Sequence, residues 1–574
     1  MKKSKKAISI TALLLVLAML FSACSASGGG TSMAPSSPQS ETAASGPAQR
    51  NEGQSLPASD SGPENNEQFA PAPSTSIQAA KPQIGQNQQY TEEVYSAADN
   101  GFNGEPFPPS DEEYLNIREN AEQDVSENPL LTFGLKVDTA SYRNITRFID
   151  DGALPPSDAV RIEEMINYFN YDEILTETYD IPFSVYTEIG PSPFDTSKEV
   201  AFVRVKSREI DRSQMPSSNL TFLIDTSGSM DTYDKLPLLK SAFSLLVENL
   251  TQDDKVSIVT YAGSAGVVLD SVSGNQKDKI LKAIDKLNAS GSTAGQKGIN
   301  TAYDLAEKNF KAGANNRVIL ATDGDFNVGV SSVNDLERLI SKKRESGVYL
   351  SILGFGTENL KDNRMETLAK NGNGNYSYID SVQAAKKVLA DELSANLFTI
   401  ADDVKTQIEF NPAQVSSYRL IGYENRMLDN RDFDNDRVDS GEIGIGTDVV
   451  LMFEITRAEG ETGLKYQQED TDTPDYSDEL FEVKIRYKDP GESESKLITH
   501  AVKALRYTDF NSADFNFAVS VAAFGHLLKN SPYTGAVSIE RVRATALDSL
   551  GYDNGGYRSE FINLLDKYMR IVGR

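Results

Sequence analysis

Between residues 219 and 389, apolar runs of strand length alternate with helical patterns. This alternation constrains the fold of the 574-residue chain more than any other feature. The runs at 220–224, 256–261, 317–321 and 348–355 are rich in Leu, Ile, Val and Phe. Unbroken apolar runs of this length suit strands buried on both faces, as in a parallel sheet covered by helices. The segments 236–250 and 299–310 carry the helical period between them. Strands and helices in turn imply a doubly wound, Rossmann-like α/β sheet, in which ligands bind where strands end.

The flanks read differently, so a multidomain α/β chain is expected. Ahead of the alternation, Tyr142, Ile145, Phe148 and Ile149 fall at helical spacing, as do Ile162, Met165, Ile166 and Phe169. Pro155-Pro156-Ser157-Asp158 supplies a start signal for the second run. These stripes are core faces of a small helical domain. Two strand-like runs follow, at 183–189 and 199–210. Beyond Asp403 the runs 404–410, 418–423, 449–456, 481–487 and 497–505 alternate as half-buried antiparallel strands do. Helical stretches at 515–528 and 561–569 close the chain. Two early strands are too few for a stable sheet. They are expected to join the later ones in a β-sandwich, with the α/β domain inserted between. The expected parts are 1–23, 24–110, 111–217, 218–392 and 393–574.

The first two parts are expected to carry no fold. Lys2, Lys3, Lys5 and Lys6 precede an apolar stretch at 7–21 of signal-peptide length. Phe21-Ser22-Ala23-Cys24 then resembles the lipobox of bacterial lipoproteins, with Phe where that family prefers Leu. The resemblance implies a lipid on Cys24 and an extracytoplasmic, membrane-anchored protein, on the outer membrane if the organism is Gram-negative. Residues 25–110 are Ser, Pro, Ala, Gln, Gly and Asn with few aliphatics, the composition of a disordered tether. Cys24 is the single cysteine, so no internal disulfide and no cysteine zinc site can form. Asp and Glu number 84 against 56 Lys and Arg, a net charge of −28 that repels nucleic acid. The two histidines, His500 and His526, lie far in sequence from the motif below and leave little material for a Ser-His-Asp triad or a histidine zinc cage.

That motif begins where the run 220–224 meets Asp225-Thr226-Ser227-Gly228-Ser229-Met230. Gly291-Ser292-Thr293-Ala294-Gly295 precedes a helical pattern, and the run ending at Ala321 meets Thr322-Asp323-Gly324-Asp325. Carboxylates and hydroxyls alone converge on one rim. Such oxygen donors suit a hard divalent cation, Mg²⁺ foremost, with Mn²⁺ or Ca²⁺ as alternatives. The low ligand charge favours one further anionic oxygen from outside.

Asp225-x-Ser227-x-Ser229, Thr293 and Asp323 resemble the metal-ion-dependent adhesion site of von Willebrand factor type A (VWA) domains in order and approximate spacing. The resemblance implies that Ser227 and Ser229 ligate directly, Thr293 does so in the ligand-bound state, and Asp225 and Asp323 act directly or through water. It implies a protein partner that supplies Asp or Glu as the remaining ligand. The blocks 137–142, 154–169 and 418–426 look like those of a bacterial VWA lipoprotein family with an N-terminal VWA-associated domain and an uncharacterised C-terminal domain. That likeness runs from about residue 112 to the end.

Other readings compete for the same residues. Asp225-Thr-Ser-Gly lacks the second copy an aspartic protease needs. Gly291 to Lys297 is one residue short of a phosphate loop and lacks the following Ser or Thr. Asp432, Asp434 and Asp436 open like an EF-hand, but Arg437 stands where glycine is required, so a solvated acidic loop is expected. Asp138-Thr-Ala-Ser141 echoes half of the adhesion motif and reads as a strand-to-helix turn. A purely structural metal, or a hydrolase with Asp325 as base, are the alternatives to a non-enzymatic binding module.

Overall fold

The computed structural model describes residues 112–136, 138–171, 181–291, 295–324, 333–357, 360–438, 440–458, 476, 478–503, 511–551, 553 and 555–573, with the backbone of 94–96. The chain divides into two units, 1–87 and 88–574, and every described residue falls in the second. The signal segment and Cys24 lie outside the described residues, as does the tether apart from 94–96.

The chain first forms β1 (Val94–Ser96), β2 (Glu113–Leu115), β3 (Gln123–Asp124), β4 (Leu130–Gly134), α1 (Ala140–Asp150), α2 (Ile162–Ile166), β5 (Phe183–Pro191) and β6 (Glu199–Ser207). The α/β part follows as β7 (Ser218–Asp225), α3 (Leu236–Glu248), β8 (Lys255–Tyr261), β9 (Ala265–Ser273), α4 (Lys277–Asp285), α5 (Gly295–Lys308), β10 (Asn315–Thr322), α6 (Val333–Arg344), β11 (Tyr349–Phe355), α7 (Asp362–Asn371), β12 (Tyr376–Ile379), α8 (Val382–Lys386) and α9 (Leu393–Leu397). The rest comprises β13 (Thr399–Phe410), β14 (Val415–Ile421), β15 (Gly441–Gly444), β16 (Asp448–Arg457), β17 (Glu479–Lys488), β18 (Ser495–Lys503), α10 (Ala513–Lys529), α11 (Ile539–Asp548) and α12 (Tyr557–Val572).

The α/β part is a six-stranded sheet in the order β12-β11-β10-β7-β8-β9, parallel except where β9 runs against β8. Successive side chains of β7 feed opposite cores, because strand residues alternate sides. Leu220, Phe222 and Ile224 meet α3 through Leu239 and Phe243, while Leu223 joins Val259, Leu320 and Tyr303 on the other side. Burial on both faces is why these strands read as unbroken apolar runs. Two strands escape that pattern. β9 is an edge strand whose Gly266, Val267 and Val268 are exposed, with register shifts against β8, and β12 is four residues long.

The flanking segments interleave. β6 pairs antiparallel with β16, Phe202 opposite Met452, so the chain leaves a sheet at Ser207 and rejoins it after the whole α/β part. The two sheets, β3-β14-β16-β6-β5 and β15-β13-β17-β18 with β4 also on β13, enclose one core. Phe410, Tyr418, Phe453 and Phe481 meet at its centre, with Phe410 stacked on Tyr418 at a centroid distance of 4.0 Å and Phe453 edge-on to Phe410 and Phe481. On the outer side of the first sheet, α1 and α2 share a second core with α10, α11 and α12. Tyr142, Phe169, Phe517 and Phe561 meet there edge to face. The early helices therefore pack with the last helices of the chain. Among the described residues no helix is long and apolar enough to cross a membrane.

Candidate metal centre

Parallel register sets β7 and β10 level, with Ala321 beside Ile224, so Asp225 and Asp323 emerge at the same edge of the sheet. Both are fully buried. The Ser227 N–H donates to Asp225 Oδ1 at 2.8 Å, and the Thr322 hydroxyl donates to Asp225 Oδ2 at 3.3 Å. Burial pushes the Asp225 carboxyl up to about 6; the Ser227 hydrogen bonds oppose that rise and repulsion from Asp323 adds to it. Ser290 N donates to Thr226 O at 2.7 Å and Gly228 N to Gly291 O at 3.0 Å, which clamps the chain at 290–291 against the Asp225–Ser229 turn. Thr293 follows two residues later, outside the described residues, as does Asp325. Gly324 turns at φ +91°, and a Cβ there would come 2.6 Å from the Lys361 backbone nitrogen, so only glycine fits beside that loop.

The rim's candidate donors are oxygens, the kind a small dication prefers. The Ser227 and Ser229 hydroxyl oxygens lie 3.0 Å apart. That is the spacing of neighbouring vertices in an octahedron with ligands at about 2.1 Å. Among the described residues no group of three or more His, Cys, Asp or Glu side chains is placed to hold a metal. The rim's donor set is two carboxylates and two hydroxyls, which lies outside that description. His526 is buried on α10, edge-on to Phe194, with Nδ1 3.4 Å from Glu119, and His500 sits on β18 opposite Val483; neither element forms the rim.

Two features escaped sequence reasoning. Lys235, just ahead of α3, donates from Nζ to Asp323 Oδ2 at 3.0 Å. A lysine beside a helix start reads as solvated, and only the fold brings it to Asp323. The second is a buried ionic joint. Asp138 accepts from Arg426 at 2.7 Å and from the Tyr376 N–H at 2.9 Å. Arg161 bonds Glu164 at 2.6 Å and Asp362 at 2.5 Å, and Glu366 accepts from Arg426 at 3.3 Å. The blocks 137–142, 154–169 and 418–426 thus converge on α7 and fasten the α/β part to the rest.

The run Asp432–Asp436 is held by the protein's own cations. Arg486 reaches Asp434 and Asp436, while Lys405 and Lys488 donate to the carbonyls of Asn435 and Asp436. A cavity of about 540 Å³ lies away from the rim, where the α/β part, the sandwich and the helices meet. Two of its charged wall residues are paired with side chains behind the wall, Asp448 with Arg204 and Arg558 with Asp514.

A doubly wound sheet with this turn at the end of its first strand is a von Willebrand factor type A fold. Residues 219–391 match the von Willebrand factor type A domain family, 108–201 a family described as von Willebrand factor, and 395–571 one described as the C-terminal part of the uncharacterized protein YfbK. The chain is 42% identical over 468 residues to "Uncharacterized protein YfbK" of Escherichia coli (strain K12), covering 80% of this chain and 81% of that one. It is 28% identical over 193 residues to "Uncharacterized protein sll0103" of Synechocystis sp., covering 33% and 44%. Among solved structures, "von Willebrand factor type A from Catenulispora acidiphila" aligns at 16% identity and TM-score 0.39, over 66% of this chain and 89% of that one. The chain belongs to the YfbK family of VWA-domain proteins.

Proposed function

We propose that the rim formed by Asp225, Ser227, Ser229 and Asp323, completed by Thr293, holds a divalent cation, Mg²⁺ foremost, and that the protein binds a protein partner there through an Asp or Glu of that partner. The carrying observation is the pair of hydroxyl oxygens 3.0 Å apart beside two buried carboxylates. A cation bound there supplies the positive charge that captures a carboxylate oxygen, which an acidic surface would otherwise repel. The chain's residues do the positioning. Ser227 N–H fixes the Asp225 carboxylate, and the Ser290 and Gly291 contacts fix the turn that carries the hydroxyls. Specificity would lie in the surrounding loops: 230–235, where Tyr233 is 87% exposed, 262–266, the turn into the start of β9, and 326–332, which is outside the described residues. With lipid on Cys24, the module would be held at the membrane on its extracytoplasmic face; this is a binding role, not a catalytic one.

Isothermal titration of the full chain tests the site. Wild type should bind Mg²⁺ or Mn²⁺ and melt higher with it, because a ligand of the folded state stabilises that state. Asp225→Ala should lose both effects, and equal binding in the mutant would remove the assignment. Partner capture that persists in EDTA would refute the carboxylate mechanism. Cys24→Ser should release the protein from membranes, and a wild type that fractionates as fully soluble would refute the anchor.

A further inference from the structure

Lys235 occupies an unusual place for a lysine. Its side chain is 8% exposed and its partner Asp323 is fully buried. Its backbone N–H donates to Thr232 O at 3.1 Å, so the residue is tied at both ends. The stem between runs past Gly356, which follows β11 with φ +80°. A Cβ at 356 would collide with Cγ, Cδ and Cε of Lys235, so glycine there leaves a groove for the lysine stem. An ammonium held this way is not a solvent-facing charge that swings aside.

The placement of Lys235 sets the charge of the rim. Asp225 and Asp323 bring two negative charges to a buried rim, and Lys235 answers one of them. A dication added to that set leaves the loaded rim with one positive charge in excess. A single carboxylate from outside cancels it. Without Lys235, the same two carboxylates would neutralise the dication fully and the rim would gain little from an anion.

We infer that Lys235 is a resident counter-ion of the rim: it neutralises Asp323 before a cation binds, stays in place afterwards, and so weakens cation affinity while making the loaded rim demand an anionic ligand. The inference rests on the metal reading of the same site. It explains how a rim with two carboxylates of its own still selects a third.

The test is titration of Mn²⁺ into the full chain, wild type and Lys235→Met, with and without acetate as the carboxylate probe. Removing a buried positive charge beside the site should tighten Mn²⁺ binding at least about tenfold. Acetate should strengthen Mn²⁺ binding to the wild type and lose that effect in the variant. The gain in melting temperature on adding Mn²⁺ should be larger in Lys235→Met, because the variant binds the ion more tightly. Lys235→Gln, which keeps polarity without charge, should behave the same way and serves if the methionine variant fails to fold. Unchanged or weaker Mn²⁺ binding in a folded variant, or an acetate effect of wild-type size, overturns the counter-ion role while the metal site stands. Absence of Mn²⁺ binding in both proteins removes the metal reading and this inference with it.

Discussion

Two stretches of this chain open alike and end differently. Asp138-Thr-Ala-Ser141 and Asp225-Thr-Ser-Gly-Ser229 each bury an aspartate just ahead of a helical turn. Around Asp138 the protein supplies cations. Against the cost of burial, Lys136 and Arg426 pull its carboxyl below the ordinary value. Ser141 turns inward too, donating to the Ala159 carbonyl and accepting from Arg161 N–H. At Asp225 a backbone N–H and a hydroxyl donate to the carboxylate, while burial and repulsion from Asp323 push it up to about 6. The local sequence decides that a carboxylate is buried. The cations placed beside it, at Asp138 Lys136 from two residues away and Arg426 from far along the chain, decide whether it becomes a joint or a site.

The largest effect should come from breaking the joint. Arg161→Met leaves Glu164 and Asp362 buried without their partner. Loss of one member of a buried ion pair costs about 3–5 kcal/mol. Urea unfolding should show that loss equally in EDTA and in Mn²⁺, since the joint takes no metal. A loss that Mn²⁺ repairs would merge the two regions and end the comparison.

Opposite pH slopes should sharpen it. The folded-state pKa of Asp225 lies above its ordinary value, so the folded state disfavours ionisation. Its contribution to stability is greatest below about pH 4 and is lost as pH rises through about 6. A rise from 3.8 to about 6 corresponds to a loss of order 2–3 kcal/mol. Asp225→Asn should remove this slope and stabilise the metal-free protein at pH 7. Asp138 has a lowered pKa, so its contribution is present above pH 4 and is lost as pH falls. Asp138→Asn should therefore destabilise at pH 7 and cost less in acid. Unfolding free energies of both variants across pH 3–8 would check the signs; slopes of the same sign would contradict the electrostatic distinction. Cation binding should also weaken below about pH 6, because it needs the ionised Asp225.

How far this was legible depends on the distance over which each feature is built. β7, β8, β10 and β11 were readable because burial on both faces writes itself into consecutive residues. β9 was not, because its exposed Gly266, Val267 and Val268 match neither pattern, and β12 is too short to carry one. Asp225, Ser227, Ser229 and Asp323 were readable because strand ends place each beside an apolar run. The pairing of β6 with β16 followed from a physical need, since two strands alone cannot hold a sheet. Lys235 lies 88 residues from Asp323, Arg161 lies 201 from Asp362 and Arg426 lies 288 from Asp138. No local pattern marks an ion pair closed over such separations, so the cations that separate joint from site stayed invisible until the fold was known.

The smallest effect should come from a third aspartate run, which tests whether density of carboxylates alone makes a site. Asp432, Asp434 and Asp436 outnumber the acids of the rim. Yet the Asp434 side chain is 82% exposed, and water as well as Arg486 solvates its charge. Lys405 and Lys488 donate to the carbonyls of Asn435 and Asp436, so the protein's own ammonium groups already sit against this turn. Exposed ion pairs contribute about 0–1 kcal/mol, so Asp434→Ala should shift the unfolding free energy by less than about 1 kcal/mol. The variant should also leave any calcium titration of the full chain unchanged. A larger loss, or a calcium response that disappears with Asp434, would show that carboxylate number outweighs burial and internal cations here. A null result would place the decision where the rim and the joint already put it, in how deeply a carboxylate is buried and in which basic side chain the fold brings to it.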